Sequence, residues 1–189
     1  MESMVAAVAE RGAAQGDAGA PVDIAGFETW MAAEQKRVYL LCLRLLGVSD
    51  EADSATQDVF LKAYRAFDRY DPSRPVRFWL LRIATNEAIS HARRRGREMR
   101  RRADEDAAGM LPDPALAPDA LSIAREDQAR IRAAVAALPE LYRVVVVLRY
   151  FNELGVDEIA QVTGRPAPTV GVQLLRGRAL LRRALEATG

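Results

Sequence analysis

Arg77-Phe-Trp-Leu-Leu-Arg-Ile-Ala-Thr-Asn-Glu-Ala-Ile-Ser-His-Ala-Arg-Arg-Arg-Gly-Arg97 is the stretch whose reading decides the fold. At 3.6 residues per turn, Phe78, Leu81, Ala84, Thr85, Ala88 and Ala92 share one side of a helix, and Arg82, Asn86, Ser90, Arg93 and Arg97 share another. One helix thus carries an apolar seam and a cationic stripe. Ala84, Ala88 and Ala92 are small and let a partner helix approach closely. The stripe runs on into seven arginines between Arg93 and Arg102. A cationic face bearing one amide side chain suits phosphates plus one or two bases. The plainer alternative is a solvated helix end whose arginines complement the C-terminal dipole.

Working outward towards the N-terminus, Asp71-Pro-Ser-Arg-Pro75 is a rigid turn with fixed proline φ values. Before it, Ala52, Ala55, Val59, Phe60, Ala63, Tyr64 and Phe67 mark a helix whose other face shows Asp53, Gln57, Asp58 and Lys62. Ser49-Asp50-Glu51 offers it an N-cap and first-turn acids. Earlier still, the pattern from Phe27 and Trp30 to Leu45 and Leu46 predicts an amphipathic helix that stops at Gly47. Residues 1–22 are rich in Ala and Gly and read as a disordered tail.

Towards the C-terminus, periodicity fails between about Met99 and Arg125, where Gly109, Pro112, Pro114 and Pro118 predict a flexible linker over 99–126. Loops of such length are uncommon inside one compact domain, so two small helical domains are expected, over 23–98 and 127–187. Ile131, Val135 and Leu138 mark a helix closed near Pro139. The run Val144-Val-Val-Val147 has strand propensity, yet helical patterns on both sides make it a fully buried helix. Val156–Thr163, a turn at Gly164-Arg-Pro-Ala167 and a helix over Pro168–Leu181 then form a helix-turn-helix, with Ile159, Val170 and Leu174 inward. Its second helix would lay Thr169, Gln173, Arg176 and Arg165 toward a major groove. The fold class is all-α.

Composition narrows the function. The net charge of +1 hides a division: −2 over 1–22, +5 over 23–102, −5 over 103–130 and +3 over 131–189. Two basic blocks flanking an acidic one fit two modules on a polyanion, separated by a segment that it repels. No apolar run approaches the roughly 20 residues needed to cross a bilayer, and no secretion signal opens the chain. A cytoplasmic protein without direct membrane insertion is expected. Cys42 stands alone among Val38, Leu41, Leu45 and Leu46, as a buried structural thiol. His91 is the one histidine and reads as a surface residue beside Arg93. With no Cys/His metal spacing and no Gly-rich phosphate loop, neither catalysis, metal nor cofactor is expected.

With both ends read, the chain resembles a bacterial RNA polymerase sigma factor of the extracytoplasmic-function type, over roughly 23–98 and 127–187. Gln57-Asp-Val-Phe-Leu-Lys-Ala-Tyr64 resembles the helix such factors dock on the polymerase's largest subunit. Trp79–Asn86 with Arg93-Arg-Arg95 resembles the helix that reads and opens the −10 element. Ala137–Arg143, Leu148–Tyr150 and Asp157–Ala160 resemble the −35-binding module. The resemblance implies that Asp53, Gln57, Asp58, Phe60 and Leu61 contact core polymerase. It implies that Tyr70, Arg74, Arg82, Asn86, Arg93 and Arg94 hold the −10 DNA, and that Arg165, Thr169, Gln173, Arg176 and Arg178 hold the −35 DNA. Opening a duplex requires extruded bases to be held by stacking and edge hydrogen bonds. Asn86 supplies donor and acceptor, the loop Tyr70–Arg74 could wall a pocket for a flipped base, and Trp79 is assigned to the core. The implied partners are core RNA polymerase, promoter DNA and an anti-sigma factor.

The sequence departs from the family pattern at several positions. Ser54 and Ser90 stand where acidic residues are usual, Gly171 and Gln173 where basic ones are common, and Pro166 replaces a Ser cap. These departures imply a weak −35 contact and a −10 module that carries more of the recognition. Two other functions fit the same charges: a stand-alone dimeric DNA-binding regulator, and a sigma-like decoy that binds an anti-sigma protein without opening promoters.

Overall fold

The first turn of the chain is set by glycine. Helix α1 (Ile24–Leu46) ends where Gly47 takes a φ of +77°, a left-handed conformation that costs glycine no Cβ clash. The Gly47 amide donates to the Leu43 carbonyl at 2.8 Å and closes the helix end. Helix α2 (Ser49–Ala66) follows. Ser49, expected as its cap, is instead its first helical residue, and its hydroxyl turns to Asp50 at 3.4 Å. Val48 occupies the cap position without a side-chain bond, so the helix start relies on Asp50 and Glu51, carboxylates at the positive end of its dipole. A 3-10 turn, Phe67–Arg69, leads on to α3 (Val76–Glu105).

This computed structural model describes residues 24–71, 75–105 and 123–187. The expected N-terminal tail, Arg74 and residues 106–122 of the expected linker lie outside the described residues. Helix α3 continues through the whole arginine block to Glu105. Then come α4 (Ile123–Ala136), α5 (Glu140–Phe151), α6 (Val156–Thr163) and α7 (Ala167–Glu186). Among the described residues every regular element is helical.

Helices α1, α2 and α3 pack on one another, and α5, α6 and α4 pack around α7. The valine run lies inside α5, with Val144 to Leu148 all buried. Strand propensity loses here because the segment is surrounded on every side, which an alternating half-buried strand would not satisfy. Gly177 lets α7 cross α5 closely, since a Cβ at that position would meet Val146 Cγ2 at 2.8 Å. In the turn between α6 and α7, Gly164 takes a φ of +67°, as expected of the hairpin.

The two halves also meet each other. Helix α6 packs on α3, and α4 and α5 pack on α1, so buried side chains of both halves join one apolar cluster. Arg143 of α5 donates to the carbonyls of Leu45 at 2.7 Å, Ala136 at 2.6 Å and Leu138 at 2.8 Å. Burial pushes its pKa down; carbonyls at helix C-termini, the negative ends of the dipoles, offset that desolvation. Arg77 donates to the Asn152 carbonyl at 2.6 Å, and the Arg44 guanidinium lies 4.4 Å from the centre of the Phe151 ring.

Candidate nucleic-acid interface

Helix α3 divides its residues by face much as its periodicity requires. Leu80, Leu81, Ala84, Thr85 and Ala88 are buried, while Arg82, Asn86, Ser90, Arg93 and Arg97 are exposed. The Ser90 hydroxyl donates to the Asn86 carbonyl at 2.8 Å, so the outward amide of the stripe is the Asn86 side chain. Tyr70 is half-buried against Trp79, with ring centres 5.1 Å apart, and stacks on Phe67. That fixes Tyr70 beside the start of the stripe.

The run Arg93-Arg94-Arg95 is dealt to three surfaces, because consecutive residues of a helix lie about 100° apart. Arg93 pairs with Glu140 of α5 at 3.0 Å, and Arg95 pairs with Glu51 of α2 at 2.8 Å. Arg94 lies about 120° round the helix from Arg82. It lines a hollow of about 300 Å³ between α2 and α3, together with Asp58, Leu61 and Lys62 of α2 and Ser90 and Arg97 of α3. Arg94 therefore lies between the residues expected to meet polymerase and the edge of the stripe.

On α2, Asp53, Gln57 and Leu61 are exposed and recur at four-residue spacing, forming one outward row. Phe60 is half-buried against the core. Asp58 lies 2.8 Å from His91 Nε2. His91 is itself buried, not a surface residue. It falls seven residues after Ala84, on the apolar seam that faces α2, and that spacing was the available signal. Glu87 is likewise buried and ion-paired with Lys62, a pairing between helices that no spacing within either helix announces. Cys42 is buried as expected, and desolvation pushes its thiol up to about 11.

The helix-turn-helix presents a different surface. Thr169, Val172 and Arg176 of α7 line an open hollow of about 360 Å³ with Leu141 and Tyr142 of α5. Gln173, expected to point outward, is only 8% exposed and accepts a hydrogen bond from Arg165 Nη1 at 2.9 Å. Arg165 also donates to the Leu141 carbonyl at 3.3 Å, and burial lowers its pKa. Arg178 is exposed but lies about 160° round the helix from Arg176. Thr169 and Arg176 thus share a face, Arg165 and Gln173 bind each other, and Arg178 stands apart. Sequence reasoning missed Val172 and Leu175, which are 50% and 68% exposed. Val170 and Leu174 are core residues, and a residue midway between them on a helix must face outward. Among the described residues, no helix is long and apolar enough to cross a membrane.

A helical bundle with an outward cationic stripe, joined to a helix-turn-helix, defines a two-module DNA-binding transcription factor. Residues 30–98 match the family described as Sigma-70 region 2, and residues 128–181 match Sigma-70, region 4. The chain belongs to the extracytoplasmic-function RNA polymerase sigma factors of the sigma-70 family, which are transcription initiation factors. It is 34% identical over 159 residues to the ECF RNA polymerase sigma factor SigW of Bacillus subtilis, covering 79% of this chain and 83% of that one. Its fold resembles CnrH, solved in complex with the cytosolic domain of CnrY, with a TM-score of 0.66 at 22% identity over 99% and 97% of the two chains. It also resembles the sigma factor RpoE, solved in complex with the anti-sigma factor NepR from Bartonella quintana. There the TM-score is 0.70 at 21% identity, over 86% of this chain and 98% of that one.

Proposed function

We propose that this chain docks on core RNA polymerase through the α2 row Asp53–Gln57–Leu61, holds the opened −10 strand on the α3 stripe, and reads the −35 element with α7. The observation that carries this reading is the stripe itself: Arg82 and Asn86 are exposed on a helix whose opposite face is buried in the core. Cations there can bind phosphate while the one amide pairs with a base edge. Arg93 must exchange Glu140 for phosphate to join them. The chain supplies binding energy and no chemistry of its own. In keeping with that, its one histidine and its one cysteine are buried.

Elements centred about 25 base pairs apart lie about 85 Å apart at 3.4 Å per base pair. A compact unit of this size has a radius of gyration of about 16 Å. Engaging both elements at once therefore requires the halves to separate. The 17 residues from 106 to 122 can span about 60 Å when extended. The packed arrangement of the halves suits a partner that holds the chain out of action, in keeping with the anti-sigma complex of RpoE. The setting is the cytoplasm, where polymerase and promoter are.

Run-off transcription with core polymerase and a genomic promoter library tests the reading. Specific transcripts support it and yield both promoter elements. Polymerase binding without transcripts would replace it with the decoy, and no polymerase binding with the stand-alone regulator.

A further inference from the structure

The outer face of α7 combines two chemistries that a merely solvated helix has no reason to combine. Arg176 and Arg183 are exposed along it, seven residues apart on one face, and Glu186 is the sole acid of the helix. Such a face fits a polyanion. Val172 nevertheless stands half exposed one turn before Arg176 and one turn after Thr169, at the edge of the hollow. The neighbouring position that could read a base by hydrogen bonding, Gln173, also borders the hollow but is largely buried, with its amide oxygen taken up by Arg165. On the outward face near the start of the helix, an apolar side chain stands where an amide or guanidinium reader would be placed.

The major groove offers one apolar group, the C5-methyl of thymine. We propose that Val172 is a specificity-determining residue, whose isopropyl group packs against the methyl of one thymine in the −35 element. The proposal rests on the −35 role given to α7 above, and it deepens that role. Cationic neighbours hold the duplex against the helix, Val172 excludes water from the methyl, and Thr169 lies on the same face with a methyl and a hydroxyl of its own. Recognition of this kind is shape-based and local. It predicts preference for thymine over cytosine or uracil at a single position, not a hydrogen-bonded code along the whole helix.

Uracil differs from thymine by that methyl alone, which makes it the probe. The full chain is bound to core polymerase on a promoter found by transcription, and each −35 thymine, on either strand, is replaced in turn by uracil. Wild type is expected to lose about three- to fivefold in affinity at one position, the equivalent of one methyl-sized group left unburied. Val172→Ala is expected to bind the thymine promoter about that much more weakly and to show no further loss with uracil. Val172→Thr, which keeps one methyl, should fall between the two. Uracil that is harmless at every position overturns the proposal, as does a uracil penalty that persists in Val172→Ala. A normal melting curve for Val172→Ala excludes misfolding as the source of its loss. A holoenzyme with no sequence preference at all would remove the −35 reading first, and this proposal with it.

Discussion

Helices α3 and α7 are both cationic and both proposed to meet DNA, yet they spend their outward positions differently. On α3 the central stripe is polar, with Arg82, Asn86, Ser90 and Arg97, and every large apolar residue at its centre faces the core; Met99 stands exposed beyond it, near the end of the helix. On α7 the outward side mixes Thr169 and Arg176 with Val172 and Leu175. A polar face suits a single strand, whose pairing base edges are reachable only after the duplex opens. A mixed face suits an intact groove, where methyls and phosphates lie side by side. On the proposed roles, counting arginines does not tell one kind of DNA contact from another; the apolar residues between them do.

The largest effect that could break this comparison is expected at Asn86. Asn86→Ala should reduce promoter opening about 5- to 150-fold, the range for one specific base contact, and leave polymerase binding unchanged. Permanganate reactivity of −10 thymines measures the first and gel filtration with core polymerase the second. A loss of both would assign Asn86 to the fold instead of the strand.

The support beneath α7 can be tested by two glycines of opposite sign. Gly177→Ala should destabilise the chain by about 1–3 kcal/mol, because the added Cβ meets Val146 inside a packed core. Gly171→Ala should stabilise it by about 0.4–1 kcal/mol, since nothing lies within 4 Å of the added Cβ and the backbone is already helical. Thermal melts should move in opposite directions; parallel shifts would mean that α7 does not cross α5 as described.

A smaller effect sharpens the comparison within α7. Arg176→Ala should lower the slope of log affinity against log salt by about 0.9, as expected for one phosphate contact. Arg178→Ala, on the far side of the helix, should lower it by less. Equal changes would place both arginines in the field of the same duplex and undo the division of faces.

Much of this was legible in the sequence. The seam of α3 was readable because Leu81, Ala84 and Ala88 repeat at helical spacing, and the buried valine helix because its flanks were helical. What could not be read were events between helices. Gln173 satisfies the Arg165 guanidinium, Glu87 receives Lys62, and His91 reaches Asp58. Each depends on which residues a second helix brings within about 3 Å, and no period within one helix encodes that. The partition of Arg93, Arg94 and Arg95 among three surfaces follows from helix geometry alone, but the acids that receive two of them do not.

The bond from Arg143 to the Leu45 carbonyl joins residues 98 positions apart. During synthesis α1 must therefore emerge with its terminal carbonyls bonded to water. At 5–20 residues per second, about 5–20 s pass before the guanidinium that replaces that water is made. The first half spends this interval with part of its apolar surface uncovered, a window in which a helper or a binding partner can reach α1 before the rest of the chain does.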